Sequence, residues 1–366
     1  MAITRIGNPA IADIREPNFR NIIINGDMSL AQRATSVTSI TTGGYKTVDR
    51  FDLAYGSIGT WTQTQSTDVP NGQGFSNSIK MDCTTADASP AASDYLYISQ
   101  KVEGQNLQYL KKGTSNAESL TASFWVKSNK TGTYIFQLWD QTNDRIISKS
   151  YTISSSNTWE KKSVTFAGDT TGAFANSNAE ALRAFWWLGT GSDFSSGTLA
   201  TSWQSRVNAN RAVGQVNLGD STSNEWYVTG LQLEAGSVAS DFEFLPVDVN
   251  LQRCYRYYRT LVPLNTENTG FSMGFYTANN NGRFAMHLEN PMRTTPTLDI
   301  VTGTDYFKIF TAGGGDDELN SFSIMGNSTE RFVIANNTGE ASGTAGQAGY
   351  AQSSSNSAYL GLEAEL

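Results

Sequence analysis

Residue types that commonly carry enzyme chemistry are scarce in this sequence. Its one histidine, His287, lies among alternating apolar and polar residues, so a histidine-dependent catalytic triad would have to centre on a strand residue. A zinc site built from several histidines is excluded for the same reason. Cys83 and Cys254 show no metal-ligand spacing and cannot form a disulfide framework. We expect His287 to be a solvated or interface strand residue and both cysteines to be buried free thiols.

Carboxylates are the other source of catalysis that the composition leaves open. Glycoside hydrolysis requires only two of them, so a polysaccharide depolymerase remains an alternative. The acidic clusters at 82–87 and 315–318 look like turns, where Asp usually caps or turns the backbone. We therefore predict that the protein is not an enzyme.

Sugar binding needs a different set of residues. Exposed aromatic rings stack on the apolar faces of pyranose rings, and neutral amides bond the sugar hydroxyls. Most of the eight tryptophans lie among apolar strand residues, which predicts core positions. Three lie in more polar surroundings: Trp61 in a Thr- and Gln-rich strand, Trp139 before an Asp-Gln pair, and Trp203 in a loop-rich stretch. These three are our predicted glycan-stacking residues.

Charge and hydropathy exclude several classes of partner. The formal net charge is −8, and no stripe of Lys and Arg is present, which argues against nucleic acids and anionic membranes. No apolar run approaches the ~20 residues of a membrane helix. The first residues lack the apolar core of a signal peptide, so we expect the protein to stay in the compartment where it is made.

The distribution of strand-forming residues predicts an all-β protein with one or two helical turns at 101–113 and a longer helix at 247–261. About eleven short segments rich in β-branched and aromatic residues fill 21–246, and about six more fill 262–366, separated by Gly, Asn, Ser or Asp. Between them, residues 247–261 repeat apolar side chains at the spacing of one helix face, with Asp248 or Asn250 as the cap. A chain of 366 residues also exceeds the usual size of one core. We predict an extended arm at 1–20, a jelly-roll β-sandwich at 21–246, a linking helix at 247–261 and a small β domain at 262–366.

Seven short segments, taken in order, resemble a family of phage tail-fibre and virion structural proteins. The family's sandwich is similar to carbohydrate-binding-module jelly rolls. The opening at 4–14 is also similar to structural proteins of marine phages. The matching segments are 21–28 (NIIINGDM), 32–33 (QR), 48–51 (VDRF), 228–236 (VTGLQLEAG), 252–258 (QRCYRYY), 291–297 (PMRTTPT) and 358–366 (AYLGLEAEL).

The resemblance implies a structural calcium near the first and last strands of the sandwich. Asn25, Asp27 and Glu234 could supply its oxygen ligands. The alternative is that residues 25–27 form a simple turn. No other cofactor is expected.

The resemblance also implies a virion surface protein of tail-fibre type, assembled in the host cytoplasm, whose sandwich binds a host-surface polysaccharide. The alternative is a capsid decoration or head-fibre protein with no ligand. Residues 1–20 would attach it to other virion proteins. Exposed sheet edges and a Tyr-rich helix face predict a homotrimer.

Overall fold

The computed structural model describes residues 19–311 and 315–366, so nearly all of the predicted arm at 1–20 lies outside the described residues. The first part of the chain contains a short helix, α1 (Ser192–Ser195), and single 3-10 turns that include Gly104–Asn106 and Gln108–Leu110. Its strands are β1 (Ser36–Ile40), β2 (Gly44–Tyr45), β3 (Asp52–Gly56), β4 (Thr60–Ser66), β5 (Ser78–Thr85), β6 (Tyr95–Glu103), β7 (Leu120–Ser128), β8 (Gly132–Asp140), β9 (Arg145–Ile153), β10 (Glu160–Phe166), β11 (Glu180–Thr190), β12 (Gln204–Ser205) and β13 (Glu225–Ala235).

These strands form two antiparallel sheets that pack face to face. The six-stranded sheet has the order β1-β4-β5-β13-β7-β10, and the seven-stranded sheet has the order β12-β9-β8-β11-β6-β3-β2. Side chains alternate between faces, so on β11 Trp186 enters the core between the sheets while Trp187 lies on the other face. The all-β sandwich predicted from the strand texture is confirmed.

The segment 21–28, which its β-branched residues predicted as the first strand, is not a strand. Asn25 and Met28 have φ angles of 61° and 60°, which lie outside the extended region that a regular strand requires. The backbone there bonds side chains instead, since Ile24 N donates to Gln100 Oε1 (2.7 Å) and Asn25 N donates to Asn250 Oδ1 (3.2 Å). The isoleucines are buried against the sandwich by this irregular path.

The linking helix is shorter than predicted. Helix α2 covers Val247–Tyr255, and the chain then enters strand β14 (Tyr258–Val262). Neither Asp248 nor Asn250 caps it, because the cap position is Pro246 and Asn250 is buried against Asn25. The apolar repeat continues through 258 because Tyr257 and Tyr258 are also buried, although in different structure.

The rest of the chain is a second β unit with its own core. The remaining strands are β15 (Gly270–Ala278), β16 (Asn281–His287), β17 (Thr297–Val301), β18 (Phe307–Thr311), β19 (Gly315–Leu319), β20 (Ser323–Ile324), β21 (Phe332–Thr338), β22 (Ala348–Ser353) and β23 (Tyr359–Glu363). They form a three-stranded sheet, β14-β23-β17, and a seven-stranded sheet, β19-β18-β22-β15-β16-β21-β20. The acidic cluster at 315–318, predicted as a turn, lies in edge strand β19.

No helix among the described residues is both long and apolar enough to cross a membrane.

Candidate functional site

The segments that carry the family resemblance meet where the sandwich contacts the second β unit, which we call the junction. Arg50, from the VDRF segment, is buried and pairs with the Glu365 carboxylate, 315 residues later in the chain. Its guanidinium also lies 3.4 Å from the ring centroid of Tyr257 and donates to Lys101 O at 2.8 Å. Burial opposes the charge of Arg50, but Glu365, Tyr257 and Tyr45 together outweigh it, so the pKa of Arg50 is raised and its guanidinium stays charged within the junction.

The QR segment joins the same junction from the sandwich side. Gln32 donates from its backbone and side chain to Asp49, at 2.9 and 2.6 Å, and from its side chain to Tyr258 O at 3.0 Å. Arg33 lies 3.4 Å from the ring centroid of Tyr258 and 3.5 Å from Glu365. These contacts hold β14 against residues 32–33 of the sandwich.

Glu103, at the end of β6, completes the junction. Its buried carboxylate accepts two hydrogen bonds from Arg256, at 2.6 and 2.7 Å, and a third from the Tyr257 hydroxyl. Burial raises the pKa of Glu103, but Arg256 and Tyr257 together lower it below its ordinary value. The residues of the resemblance therefore act mainly on the packing of the two units.

A cleft opens beside the junction, between β6 and α2, and we call it the helix cleft. It has a volume of about 290 Å³. A neighbouring cavity of about 390 Å³ shares Phe19, Arg253 and Arg256 with it and extends towards Pro291. The lining residues are Phe19, Asn21, Ile22, Ile24, Gln100, Lys101, Val102, Asn106, Tyr109, Arg253, Arg256 and Tyr257.

Two aromatic rings border the helix cleft and remain open to solvent. Tyr109 is 41% exposed and Phe19 is 56% exposed. Tyr109 is presented outwards because Leu107 and Leu110, on either side of it in the 3-10 turns, are buried in the core. Burial of the hydroxyl and the charge of Glu234 raise the pKa of Tyr109 to about 12, so the hydroxyl is protonated at neutral pH.

The cationic side chains that line the helix cleft differ in whether they form an ion pair with a carboxylate. Arg256 is paired with Glu103, and Lys101 lies 3.5 Å from Asp52. Arg253 donates to the backbone oxygen of Asn21 at 3.2 Å, and no carboxylate of the described residues lies within 4.0 Å of it. Burial lowers the pKa of Arg253 from its ordinary value, yet it remains a cation at neutral pH. Glu243 acts on this charge from a greater distance, but Arg253 forms no ion pair with a carboxylate of the described residues.

The predicted glycan-stacking tryptophans are not brought together. Trp61 is fully buried and donates from its ring nitrogen to Ile58 O at 2.6 Å, so its assignment to an exposed face was wrong. The polar residues of this strand gave a wrong prediction because Gln63 is also buried. Its side-chain oxygen accepts a hydrogen bond from the Thr47 hydroxyl at 2.8 Å. Trp203 is half-buried, packs on the core and donates to Ala167 O at 2.8 Å.

Trp139 lies elsewhere again, on the outward face of the seven-stranded sheet of the sandwich. Its ring nitrogen donates to Asp144 at 3.1 Å, and the Arg206 and Arg211 guanidiniums lie 5.1 and 5.3 Å from its ring centroid. Phe194 of α1 and the later residues Leu199 and Ala212 pack against this face. Trp139 is half-buried at the edge of this cluster.

The oxygen atoms of the predicted calcium set are engaged by protein donors. Asn25 Oδ1 accepts from Leu30 N (3.0 Å), and Asp27 Oδ1 accepts from Ser29 Oγ (3.1 Å). Both oxygens of Glu234 accept from Ser240, at 2.9 and 2.6 Å. Glu234 shares none of the hydrogen-bond partners of the other two. The described residues also contain no cluster of three or more His, Cys, Asp or Glu that could hold a metal ion.

Two smaller predictions hold. Cys83 and Cys254 are free and buried, and burial raises the pKa of both thiols. His287 is an exposed residue at the end of β16.

The helix cleft was missed at the sequence level. Its signals were present in Tyr109, flanked by two leucines at core spacing, and in the arginines of the 252–258 segment. The sequence does not show that residues near 109 and 253 are neighbours in the fold.

No family model and no curated protein sequence matches the chain. Among solved structures, it is similar to the enzymatically active domain of tailspike protein 4 of Bacteriophage CBA120, with 13% identity and a TM-score of 0.32, over 59% of this chain and 22% of that chain. It is also similar to TmCBM61 in complex with β-1,4-galactotriose, with 9% identity and a TM-score of 0.29, over 59% and 99% of the two chains. A family 11 carbohydrate-binding module from Clostridium thermocellum gives 11% identity and a TM-score of 0.27, over 57% and 99%. This chain therefore spans about a fifth of the tailspike domain and nearly the whole length of each binding module.

Proposed function

We propose that this chain is a non-enzymatic surface protein of a bacteriophage virion and that its helix cleft binds an acidic glycan of the host surface. The observation that carries the binding proposal is the helix cleft itself, which is lined by the exposed Tyr109 ring and by Arg253, a cation without an ion pair among the described residues. The virion assignment is supported by the ordered resemblance of segments along the chain.

The size of the cleft suits a short stretch of sugar. Its volume of about 290 Å³ is at the lower end of ligand pockets, and the adjoining cavity of about 390 Å³ offers a path for further sugar units. The ring of Tyr109 can stack on a pyranose face, while its hydroxyl and the exposed Asn106 amide bond the sugar hydroxyls.

The charge of the cleft favours a carboxylated sugar. A guanidinium binds a carboxylate through two parallel hydrogen bonds, and Arg253 has donors that no carboxylate of the described chain uses. The net charge of −8 opposes an anionic ligand only weakly, because exposed charges more than about 8 Å away are largely screened at physiological salt. Within the cleft, the nearby positive charge of Arg253 therefore has the larger effect on the ligand.

Hydrolysis of the bound sugar is not supported by the lining residues. Glycosidases place two carboxyl groups about the scissile bond, whereas no Asp or Glu is among the described residues that line the helix cleft. The nearby Glu103 carboxylate is engaged by Arg256 and Tyr257. A binding role therefore fits the cleft better than a depolymerase role.

A structural role without any ligand is the second candidate. It is favoured by one observation, namely that the segments of the resemblance build the junction between the two units, as the Arg50–Glu365 pair does. In this case the chain would be a decoration or head-fibre protein attached through residues 1–20. A homotrimer remains part of either proposal, although Tyr257 and Tyr258 are buried within the chain and no longer argue for it.

Titration calorimetry with two α-1,4-linked galactose trisaccharides, one carrying C6 carboxylates and one without them, tests the proposal. We expect the acidic trisaccharide to bind more tightly, and Arg253→Gln to weaken it by about 10- to 100-fold, as the loss of a charged hydrogen-bonding group predicts. Arg331→Gln, at an exposed arginine outside the cleft, is the matched control and should leave binding unchanged.

Two results would contradict the proposal. Equal affinity of Arg253→Gln and wild type for the acidic trisaccharide would place any sugar site elsewhere. Absence of binding to both trisaccharides, with attachment to virions that requires residues 1–20, would favour the structural alternative.

A further inference from the structure

The second β unit presents an apolar row across one face of its seven-stranded sheet. Residues in direct cross-strand register on β18, β22, β15, β16 and β21 form this row, which we call the apolar stripe: Phe310, Tyr350, Met273, Ala285 and Ile334. On β18, β22, β16 and β21, neighbouring residues such as Ile309, Ala351, Phe284 and Val333 point into the core on the other face. The stripe is therefore a surface feature and not part of the core of this unit.

Three members of the stripe and two adjacent rings are strongly exposed. Met273 is 70% exposed, Phe275 51%, Phe310 45%, Phe332 41% and Tyr350 37%. These five are among the thirteen large hydrophobic side chains exposed in the described chain, and all five lie on this one sheet face. Single exposed apolar residues are ordinary, whereas a contiguous patch of this kind marks an interaction surface.

The chemistry of the stripe favours a protein partner over a sugar. A sugar site needs several hydrogen-bonding groups for hydroxyls, and the stripe offers only the Tyr350 hydroxyl. Met273, the most exposed of the set, stands at the central strand of the sheet, and methionine and aromatic residues are enriched in protein interfaces.

The register of the stripe fits a second copy of this chain. A two-fold axis that runs parallel to the strands and passes through Met273 sets Tyr350 of one copy over the small Ala285 of the other, and Phe310 over Ile334. Asp316, at the β19 end of the row, is paired with Lys308 at 2.8 Å, so its charge does not oppose this contact.

The area is sufficient for such a contact. Seven strands at about 4.8 Å spacing and five residues at about 3.3 Å give a face of roughly 500 Å² per copy, or about 1,000 Å² in total. That is the lower limit for a specific interface. We infer that the apolar stripe binds a second copy of this chain in a two-fold, face-to-face contact.

This inference is independent of the proposed glycan binding. The contact forms pairs, so the trimer predicted from the sequence would use other surfaces. Light scattering across a concentration series, on the full chain and on Met273→Asp, tests it. We expect the wild-type mass to double at high concentration and Met273→Asp to weaken pairing on the order of 100-fold, because the substitution enters twice at the centre of the contact.

Val301→Asp is the matched control, since Val301 is 45% exposed on β17, in the other sheet of the same unit. It should pair like wild type. Circular dichroism confirms that both variants are folded. A wild-type mass that does not rise with concentration, or that Met273→Asp leaves unchanged, overturns the inference. So does Val301→Asp losing pairing as strongly as Met273→Asp.

Discussion

Replacing Glu365 by Gln should destabilise the protein strongly although the residue is the last but one of the chain. The substitution removes the carboxylate that balances Arg50, and both side chains are buried, with 1% and 3% exposure for Arg50 and Glu365. Leaving a buried charge without its partner costs about 3–5 kcal/mol. Arg50 keeps its bond to Lys101 O and its contact with the Tyr257 ring, so we expect the lower end, about 3 kcal/mol.

Glu363→Gln provides the matched control. Glu363 lies two residues earlier and 3.6 Å from Arg33, but its side chain is 38% exposed. An exposed pair contributes at most about 1 kcal/mol, so this variant should lie close to wild type. Urea unfolding followed by tryptophan fluorescence measures both. Because the second β unit has no tryptophan, far-ultraviolet circular dichroism is recorded in parallel.

The double variant Arg50→Met, Glu365→Leu separates a lost pair from lost packing. It removes both charges and keeps apolar volume, so most of the stability lost in Glu365→Gln should return. Equal unfolding midpoints for Glu365→Gln and Glu363→Gln would refute the reasoning, because the junction would then not depend on the buried pair.

Two further predictions concern the junction and the core. The pKa of Glu103 is lowered in the folded protein, so its contribution to stability is present above the unfolded pKa of about 4.3 and is lost as pH falls through the folded value. The stability difference between wild type and Glu103→Gln should thus shrink below about pH 4 in urea unfolding series, and a difference that grows there would contradict it. Trp61→Ala should cost about 3–5 kcal/mol of unfolding free energy and leave sugar affinity unchanged, since Trp61 is core and does not line the helix cleft. Loss of affinity in a variant that remains folded would restore Trp61 as a ligand residue.

The strands were the predictable part of the fold because their signal is local. Alternation of apolar and polar residues sets the two faces of a strand, as in Trp186 and Trp187, and needs no knowledge of distant residues. The prediction from alternation failed at Trp61. There the inward-facing neighbour Gln63 is polar but buried, because it forms a hydrogen bond inside the protein. A polar residue on an inward face is stable when it is hydrogen-bonded, so polarity alone did not report exposure.

The junction could not be predicted because it is built from pairs far apart in sequence. Arg50 and Glu365 are 315 residues apart, and Gln32 and Tyr258 are 226 apart. Each motif was visible as a string of residue types, but its partner was not. Residues 25–27 show the same limit, since Asn25 and Asp27 carry ligand-type oxygens whose actual partners are protein donors such as Leu30 N and Asn250.

Helix α2 contributes residues both to the junction and to the helix cleft. On one side, Cys254 and the following Tyr257 are buried in the junction, while Arg253 lines the helix cleft. A ligand held by Arg253 binds only when α2 is in place, because the unfolded chain has no cleft. Binding must therefore stabilise the folded junction by mass action, and a junction variant that leaves part of the protein unfolded lowers the apparent affinity in proportion to the folded fraction. On this reasoning, residues such as Glu365 influence sugar affinity without contacting the sugar, since they fix the helix that carries Arg253.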